Sequence, residues 1–121
     1  MRHQSATAHE LAQVGLLAGL PGEVLAKLGE RMERRDVAAG ERVVSQGEDG
    51  DRFYVVIGGL LRAVQDELGE RTVLKPGSYF GEVALLMDVG RTATVEAVTP
   101  ATVASCDRET FDEFLRPLFT E

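Results

Sequence analysis

Two patterns of hydrophobic residues divide the chain into a helical beginning and a strand-rich remainder. In residues 10–32 apolar side chains recur mostly three or four positions apart, which is the spacing of one face of a helix. The pattern predicts two short helices with a turn at residues 18–21, and Pro21 stands near the start of the second, where proline is tolerated. The apolar positions are Leu11, Val14, Leu17, Leu25, Leu28 and Met32. Residues 1–9 precede this pattern and are expected to form a flexible N-terminus.

After Asp36 the pattern changes to short runs of β-branched and aromatic residues, with glycine about every eight to ten positions. This cadence is typical of a sandwich or barrel of short antiparallel strands. Residues 66–71, "DELGER", are expected to form the end of a hairpin. The predicted strands are residues 42–46, 53–57, 60–66, 71–75, 92–98 and 101–106.

A last helix is predicted at about residues 108–116, where Phe111, Phe114 and Leu115 would pack onto the sheets. Pro117 is expected to end that helix, because proline lacks the backbone donor that a helix interior needs. The predicted fold class is therefore mainly β: an antiparallel β-roll or jelly roll at about residues 36–106, with short flanking helices. The chain has 121 residues, enough for one core, and residues 10–121 are expected to form a single domain.

The segment "EVALLM", residues 82–87, interrupts the strand cadence with good helix formers that follow Gly81. The first N–H groups of a helix have no acceptor within it and carry partial positive charge. A phosphate placed at this helix start would satisfy them. The small residues Gly81 and Ala84 would allow an anion to approach the backbone, so the segment indicates a local anion site.

Glu82 and Arg91 stand nine positions apart at the two ends of this segment, which gives two interpretations. They could form an ordinary salt bridge, or they could contact two parts of one polar ligand. The planar guanidinium of Arg91 suits a phosphate, because it donates two hydrogen bonds and stays charged. Glu82 beside a phosphate makes sense if its carboxylate accepts from another group, such as a ribose hydroxyl.

The stretch "PGSYFGEVALL", followed by "RTATV", resembles the phosphate-binding cassette of cyclic nucleotide-binding domains. Two further stretches extend the likeness over roughly residues 10–116: "GEDGDRFYVVIGG" is similar to the family's glycine-turned hairpin, and "LLAGLPGEVLAKL" to its N-terminal helical segment. The resemblance implies a β-roll with a short helix in the cassette and a ligand that is cAMP or cGMP. No other cofactor is expected.

The resemblance also implies roles for single residues. Glu82 would accept from the ribose 2′-hydroxyl, and Arg91 would pair with the cyclic phosphate. Thr92 would allow a contact to the amino group of guanine, yet cAMP-binding members also carry threonine here, so cAMP is only slightly favoured. The resemblance further implies that Gly81, Ala84 and Thr92 offer close backbone approach or N–H groups and that Val83 and Ala93 line the cavity. Leu74 and Val64 would contact the sugar or base.

Composition excludes several classes of function. The formal net charge of −7 opposes the counterion release on which nucleic-acid binding depends, so no direct nucleic-acid partner is expected. The longest nearly apolar run, residues 53–61, is too short to insert into a membrane, and no secretory signal is seen, which predicts a cytoplasmic location. The single cysteine, Cys106, is expected to be a buried structural thiol. No histidine follows His9, which argues against a metal-dependent jelly-roll enzyme and a Ser-His-Asp hydrolase.

Two hypotheses for function follow. In the first, the chain is a non-enzymatic regulatory module that binds a cyclic nucleotide and transmits a conformational change to an effector domain or partner protein. In the second, a domain of the same fold has lost its ligand and serves protein contacts. Many members of the family have a longer closing helix after the roll, whereas here Pro117 and a short tail are expected to follow, so either the chain is a fragment, or the lid is missing or supplied by a partner. Without that helix, the base of a bound nucleotide is predicted to stay partly exposed. The sequence does not indicate the effector or the oligomeric state.

Overall fold

The computed structural model describes residues 5–65 and 69–119. Two antiparallel four-stranded sheets form the roll, with strand orders β1-β8-β3-β6 in the first sheet and β2-β7-β4-β5 in the second. The mainly β fold predicted from the sequence is confirmed. The strands are β1 (Glu33–Val37), β2 (Arg42–Val44), β3 (Arg52–Gly58), β4 (Leu61–Gln65), β5 (Glu70–Leu74), β6 (Tyr79–Phe80), β7 (Thr94–Ala97) and β8 (Ala101–Asp107).

Short helices flank the roll and interrupt it once. Their bounds are α1 (Ala8–Ala12), a 3-10 turn (Gly15–Leu17), α2 (Gly22–Glu30), α3 (Glu82–Met87), α4 (Arg108–Thr110), a π turn (Phe111–Leu115) and α5 (Arg116–Phe119). None of the helices in the described part of the chain is long and apolar enough to cross a membrane.

The central strands of the first sheet, β3 and β8, are covered on both faces, because helices cover one face and the second sheet covers the other. Alternate residues of β3 point to opposite faces. Phe53 and Val55 join the core beneath the helices, whereas Tyr54 and Val56 join the core between the sheets. β8 divides in the same way, with Cys106 on the helical side and Val103 between the sheets.

All six predicted strands are present, and the structure adds two that the sequence did not indicate. β1 carries four charged residues in "ERRDV", but it pairs along its whole length with β8, from Glu33 opposite Ser105 to Val37 opposite Ala101. The strands of the roll thus begin at Glu33 rather than at about residue 36. Strand propensity did not predict β1, because pairing with a buried neighbour can override it. The second added strand, β6, is only two residues long.

The N-terminal end of the chain differs from the prediction. Helix α1 begins at Ala8, within the segment expected to be flexible, because Thr7 and Glu10 form a reciprocal capping box. Residues 1–4, and residues 66–68 of the predicted hairpin end, lie outside the described residues.

Pro117 does not end the C-terminal helix but lies inside α5. The backbone N–H of Arg116 donates to the carbonyl of Phe111, five residues back, so the turn before the proline is widened. This widening gives the proline ring room that a regular α-turn would deny it.

Candidate functional site

A cavity of about 250 Å³ opens between the inner face of the second sheet and the helix α3 segment. It is lined by Val44, Ala63, Gln65, Thr72, Phe80, Gly81, Glu82, Val83, Ala84, Arg91, Thr92, Ala93 and Val95. Residues distant in sequence therefore meet here, from β2, β4, β5 and β7 on one side and from the segment "FGEVA" on the other.

Glu82 reaches the cavity because the chain turns sharply between β6 and α3. Gly81 supplies the turn with φ of 95°, a left-handed conformation that a side chain would strain. Glu82 is then the first helical residue, and its carboxylate points into the cavity. Its Oε2 atom is buried, and no group among the described residues donates to it.

Arg91 reaches the same cavity from the other end of the segment. Its backbone is fixed by the loop after β2: the Arg91 N–H donates to the Glu48 carbonyl at 2.7 Å, and the Gly47 N–H donates to the Arg91 carbonyl at 2.8 Å. The guanidinium lies 5.6 Å from the centre of the Tyr54 ring, which in turn stacks on Phe80 at 4.8 Å. Such a cation–π contact holds the charge without using its hydrogen-bond donors.

Two glycines leave the space that the Arg91 side chain occupies. A Cβ at Gly50 would lie 2.9 Å from the Arg91 guanidinium carbon and 2.5 Å from the Ala84 Cβ. A Cβ at Gly81 would lie 2.8 Å from Arg91 Nη1 and 2.8 Å from the Arg52 carbonyl oxygen. The arginine is thus enclosed by backbone, and only 7% of its surface is exposed.

The charges of Glu82 and Arg91 do not neutralise each other. Oε2 of Glu82 and Nη1 of Arg91 are both buried and unpartnered among the described residues, and no ion pair joins them. The salt-bridge interpretation of these two residues is therefore not supported. Burial raises the pKa of Glu82. Burial also lowers the pKa of Arg91, although nearby Tyr54, Asp51 and Glu48 oppose that shift.

This arrangement is costly unless a ligand completes it, because a buried charge without a partner loses its hydration. Arg91 offers hydrogen-bond donors and a positive charge to an anion, and Glu82 offers acceptors to a hydroxyl or amino group. A single ligand that carries an anion beside a hydroxyl would satisfy both side chains.

Seven of the nine residues proposed from the sequence line the cavity: Gly81, Glu82, Val83, Ala84, Arg91, Thr92 and Ala93. Leu74 and Val64 do not. Leu74 is buried in the core between the sheets, opposite Leu61 on β4. Val64 lies on the outer face of the second sheet, because it alternates with Ala63 and Gln65, which face the cavity.

Sequence reasoning missed the sheet residues of the cavity, in particular Gln65 and Thr72. Gln65 donates from Nε2 to the Thr92 carbonyl at 3.2 Å, so it links β4 to the end of the cassette segment. Thr72 lies on β5, opposite Ala63. The alternation of side chains along β4 could have identified Gln65. Once Leu61 is placed in the core, Ala63 and Gln65 lie on the same face of the strand.

The part of the chain that the structure describes gives little support for metal binding or for a reactive cysteine. No group of three or more histidine, cysteine, aspartate or glutamate side chains there could hold a metal ion. Cys106 is fully buried, as predicted, and burial raises the pKa of its thiol to about 12. Glu48, Asp49 and Asp51 lie exposed in the loop after β2.

Comparison with known proteins identifies the family. The model of the cyclic nucleotide-binding domain matches residues 34–117, which is more than half of the chain. The chain belongs to the cyclic nucleotide-binding domain family. The resemblance seen in the sequence is thereby confirmed, and the cavity described above lies within the matched residues of this domain.

Relatives of this cyclic nucleotide-binding domain include protein kinase regulatory subunits and a protein kinase. The chain is 36% identical over 107 residues to a cAMP-dependent protein kinase regulatory subunit of Debaryomyces hansenii, covering 88% of this chain and 24% of that protein. It is 32% identical over 126 residues to the cGMP-dependent protein kinase egl-4 of Caenorhabditis briggsae, covering 99% and 17%.

A solved structure gives the same fold. The regulatory domain of Toxoplasma gondii PKA, crystallised with cAMP, matches with a TM-score of 0.82 and 28% identity, covering 92% of this chain and 44% of that one. The chain therefore spans a quarter or less of the two curated relatives and under half of the solved chain.

Proposed function

We propose that this domain binds a cyclic nucleotide in the cavity between α3 and the second sheet and acts as a non-enzymatic regulatory module. One observation carries the proposal: Glu82 and Arg91 present buried, oppositely charged and unpartnered atoms to one cavity. Arg91 pairs with the cyclic phosphate, and Glu82 accepts a hydrogen bond from the ribose 2′-hydroxyl. The other ligand contacts are proposed at Gly81, Val83, Ala84, Thr92 and Ala93.

The charge of the cavity favours a cyclic phosphate over a linear one. Among the described residues that line it, Arg91 carries the only positive charge and Glu82 a negative one. A cyclic phosphodiester has a single negative charge, whereas a terminal phosphate carries close to two at neutral pH. The second charge would face the Glu82 carboxylate and a chain whose net charge is −7. A 5′-monophosphate is therefore expected to bind more weakly than its cyclic counterpart.

In this proposal the domain prefers adenine to guanine as the base, and therefore cAMP to cGMP, by a small margin. The first relatives are named as cAMP-dependent, and a solved neighbour was crystallised with cAMP, although one relative is named as cGMP-dependent. Thr92 lines the cavity and is exposed, so its hydroxyl is available to a guanine amino group. This contact is the reason that we keep cGMP as a second ligand.

The regulated effector lies outside these residues in our proposal. The relatives are a kinase regulatory subunit and a kinase, and the chain covers only a fraction of each. Ligand binding would shift the domain between two conformations, which a neighbouring domain or partner protein reads. The cytoplasmic location predicted from the sequence belongs to the same proposal, supported by a single, unpaired cysteine.

Calorimetry with cAMP, cGMP and 5′-AMP tests the proposal on the wild type and on Arg91→Leu. Removing the cation from a mostly buried phosphate should cost about 3 to 5 kcal/mol, or about two to three and a half decades in affinity. The control is Arg35→Leu, which removes an exposed arginine that pairs with Glu41 on the surface. It should bind like the wild type.

Two outcomes would contradict the proposal. If Arg91→Leu bound either cyclic nucleotide within threefold of the wild type, the phosphate contact would be assigned wrongly. If the folded wild type bound neither nucleotide at millimolar concentration, the alternative would hold, in which a domain of this fold serves protein contacts without a ligand.

A further inference from the structure

The outer face of the second sheet carries a cluster of arginines on the side opposite the nucleotide cavity. We call it the arginine face and define it by Arg42 on β2, Arg62 on β4 and Arg71 on β5, which surround Val64 and Thr94. Together with Ser45, Gln46 and Glu96, these residues line a concavity of about 310 Å³. None of the residues of this concavity lines the cavity that holds Glu82 and Arg91.

Among the described residues, most of the charge on the arginine face has no ion-pair partner. Nε and Nη2 of Arg62 both lie 2.7 Å from Oε1 of Glu96, on the neighbouring strand β7. Arg42 and Arg71 have no acidic partner among the described residues. The face therefore has a local positive charge, although the chain as a whole has a net charge of −7.

Exposed apolar side chains lie on the same outer face. Val73 is 65% exposed and stands opposite Arg62 in the β4–β5 register. Leu60 and Val98 are 39% and 48% exposed at the end of the sheet, where the Val98 N–H donates to the Leu60 carbonyl. Arginines beside apolar side chains are typical of a surface that a protein partner covers.

We propose that the arginine face docks a short acidic segment of a partner protein, with acidic side chains on Arg42 and Arg71 and apolar side chains near Val73. The two arginines lie on the outer strands β2 and β5, separated by β7 and β4. Three strand spacings amount to about 14 Å, which an extended peptide spans in about four residues. The proposal does not depend on which nucleotide the cavity binds.

The charge distribution favours a peptide over an anionic membrane. A peptide contacts only the arginine face, and charges more than about 8 Å away are screened at physiological ionic strength. A membrane would set a charged plane against a domain whose net charge is −7. The named residues of the arginine face and its exposed neighbours also include no tryptophan or tyrosine, the residues typical of a membrane interface.

Fluorescence anisotropy and NMR test this docking surface on the whole chain. The probe is a short fluorescein-labelled peptide in which glutamate alternates with leucine, and the control peptide has lysine in place of glutamate. The acidic peptide should bind, and its binding should weaken as salt is added. In the NMR spectrum the shifted amides should cluster at β4 and β5, around Arg62, Val64 and Val73.

Charge-reversal variants decide whether the arginine face is responsible. Arg71→Glu should weaken binding of the acidic peptide at least about tenfold, because a like charge replaces the partner. Lys27→Glu makes the same change in net charge on the exposed side of α2 and should stay within about twofold of the wild type. Thermal unfolding and cAMP affinity show whether each variant keeps its fold.

The proposal would be overturned if the wild type did not bind the acidic peptide, if Arg71→Glu and Lys27→Glu lost affinity equally, or if the protein bound phosphatidylserine-containing vesicles without binding the peptide. The last would assign the face to a membrane surface. Retained peptide affinity in Arg71→Glu, with amide shifts elsewhere in the spectrum, would place the site off the arginine face.

Discussion

At the scale of single residues, Arg91 keeps its position through the residues that leave room for it. Gly50 and Gly81 lie against its guanidinium, and the Tyr54 ring covers it from a third direction. A side chain at either glycine would occupy space that the arginine needs. In the proposed function the glycines would therefore contribute to ligand binding through the position of Arg91, although neither offers a side chain to a ligand.

Gly50→Ala should lower cAMP affinity about tenfold or more, since the added Cβ would meet the Arg91 guanidinium and the Ala84 Cβ. Overpacking should also lower the free energy of unfolding by about 1 to 3 kcal/mol. Calorimetry and urea denaturation measure the two effects. Gly58→Ala is the control, because a Cβ there meets nothing within 4 Å. Unchanged affinity in Gly50→Ala would show that Arg91 binds without this enclosure.

Glu82 should make the free domain less stable as pH rises. Burial raises the pKa of Glu82 above its ordinary value, so the folded state binds a proton more tightly than the unfolded state. Stability is therefore highest below the unfolded pKa and falls as pH rises from there through the raised folded pKa. Glu82→Gln removes this titration. At pH 7 the variant should melt above the wild type, and near pH 4 the difference should shrink.

The same substitution should weaken ligand binding. Glutamine keeps an acceptor oxygen but loses the charge, so the hydrogen bond should weaken by about 1 kcal/mol, or about fivefold in cAMP affinity. Binding of 2′-deoxy-cAMP, which lacks the hydroxyl, should change much less. Paired melting and calorimetry on one protein preparation give both results. Equal losses for the two nucleotides would remove the ribose role of Glu82.

At the scale of elements, helix α3 is joined to the C-terminal helix by two arginines. Nη1 of Arg108 donates to the Leu85 carbonyl at 3.3 Å, and Nη2 of Arg116 donates to the same carbonyl at 3.2 Å. The last carbonyls of a helix have no partner within it, so these donors satisfy one of them. The helix that begins at Glu82 is thus tied at its other end to α4 and α5.

Arg108→Met should loosen this junction and lower the free energy of unfolding by about 0.5 to 1.5 kcal/mol, because one donor to Leu85 is lost. Hydrogen exchange should become faster in residues 108–119. Asp88→Asn is the control, since Asp88 pairs with Arg108 at 3.5 Å but is 90% exposed. It should change stability by less than about 0.5 kcal/mol. A larger loss in the control would assign the effect to the ion pair.

The sequence predicted the elements whose own residues show a clear pattern. The run "FYVVI" predicts that β3 is buried, and the helix formers at residues 82–87 interrupt the pattern of short strands. β1 was missed because its charged side chains give no strand pattern and its position depends on β8. The course of the chain through Pro117 was also missed, since a widened turn is a property of the folded helix.

The residues of the candidate site also divide into those that the sequence could predict and those that it could not. Residues 81–84 and 91–93 could be predicted because they lie close together in one segment. Ala63, Gln65 and Thr72 come from two strands, and a shift of one residue in the register moves a side chain to the other face. Val64, which the family resemblance implied for the sugar or base, lies on the arginine face instead.

At the scale of the whole molecule, two cores share the central strands of the first sheet. The core beneath the helices contains Cys106 and Phe53, and the core between the sheets contains Phe80 and Val95, which line the cavity beside α3. β3 and β8 contribute side chains to both. Because neither core can lose these strands without exposing the other, we expect the domain to unfold as one unit.

Modification of Cys106 tests this cooperativity at a distance from the ligand. The thiol is fully buried with a pKa of about 12, so iodoacetamide should react with it only in molecules that have unfolded. If unfolding is global, cAMP at 100 times its dissociation constant should slow the reaction about 100-fold. Arg91→Leu, which loses the phosphate contact, should show little protection at the same cAMP concentration. Wild-type labelling that cAMP does not slow would mean that the helical core opens without the sheets, and that the two cores are separate units of stability.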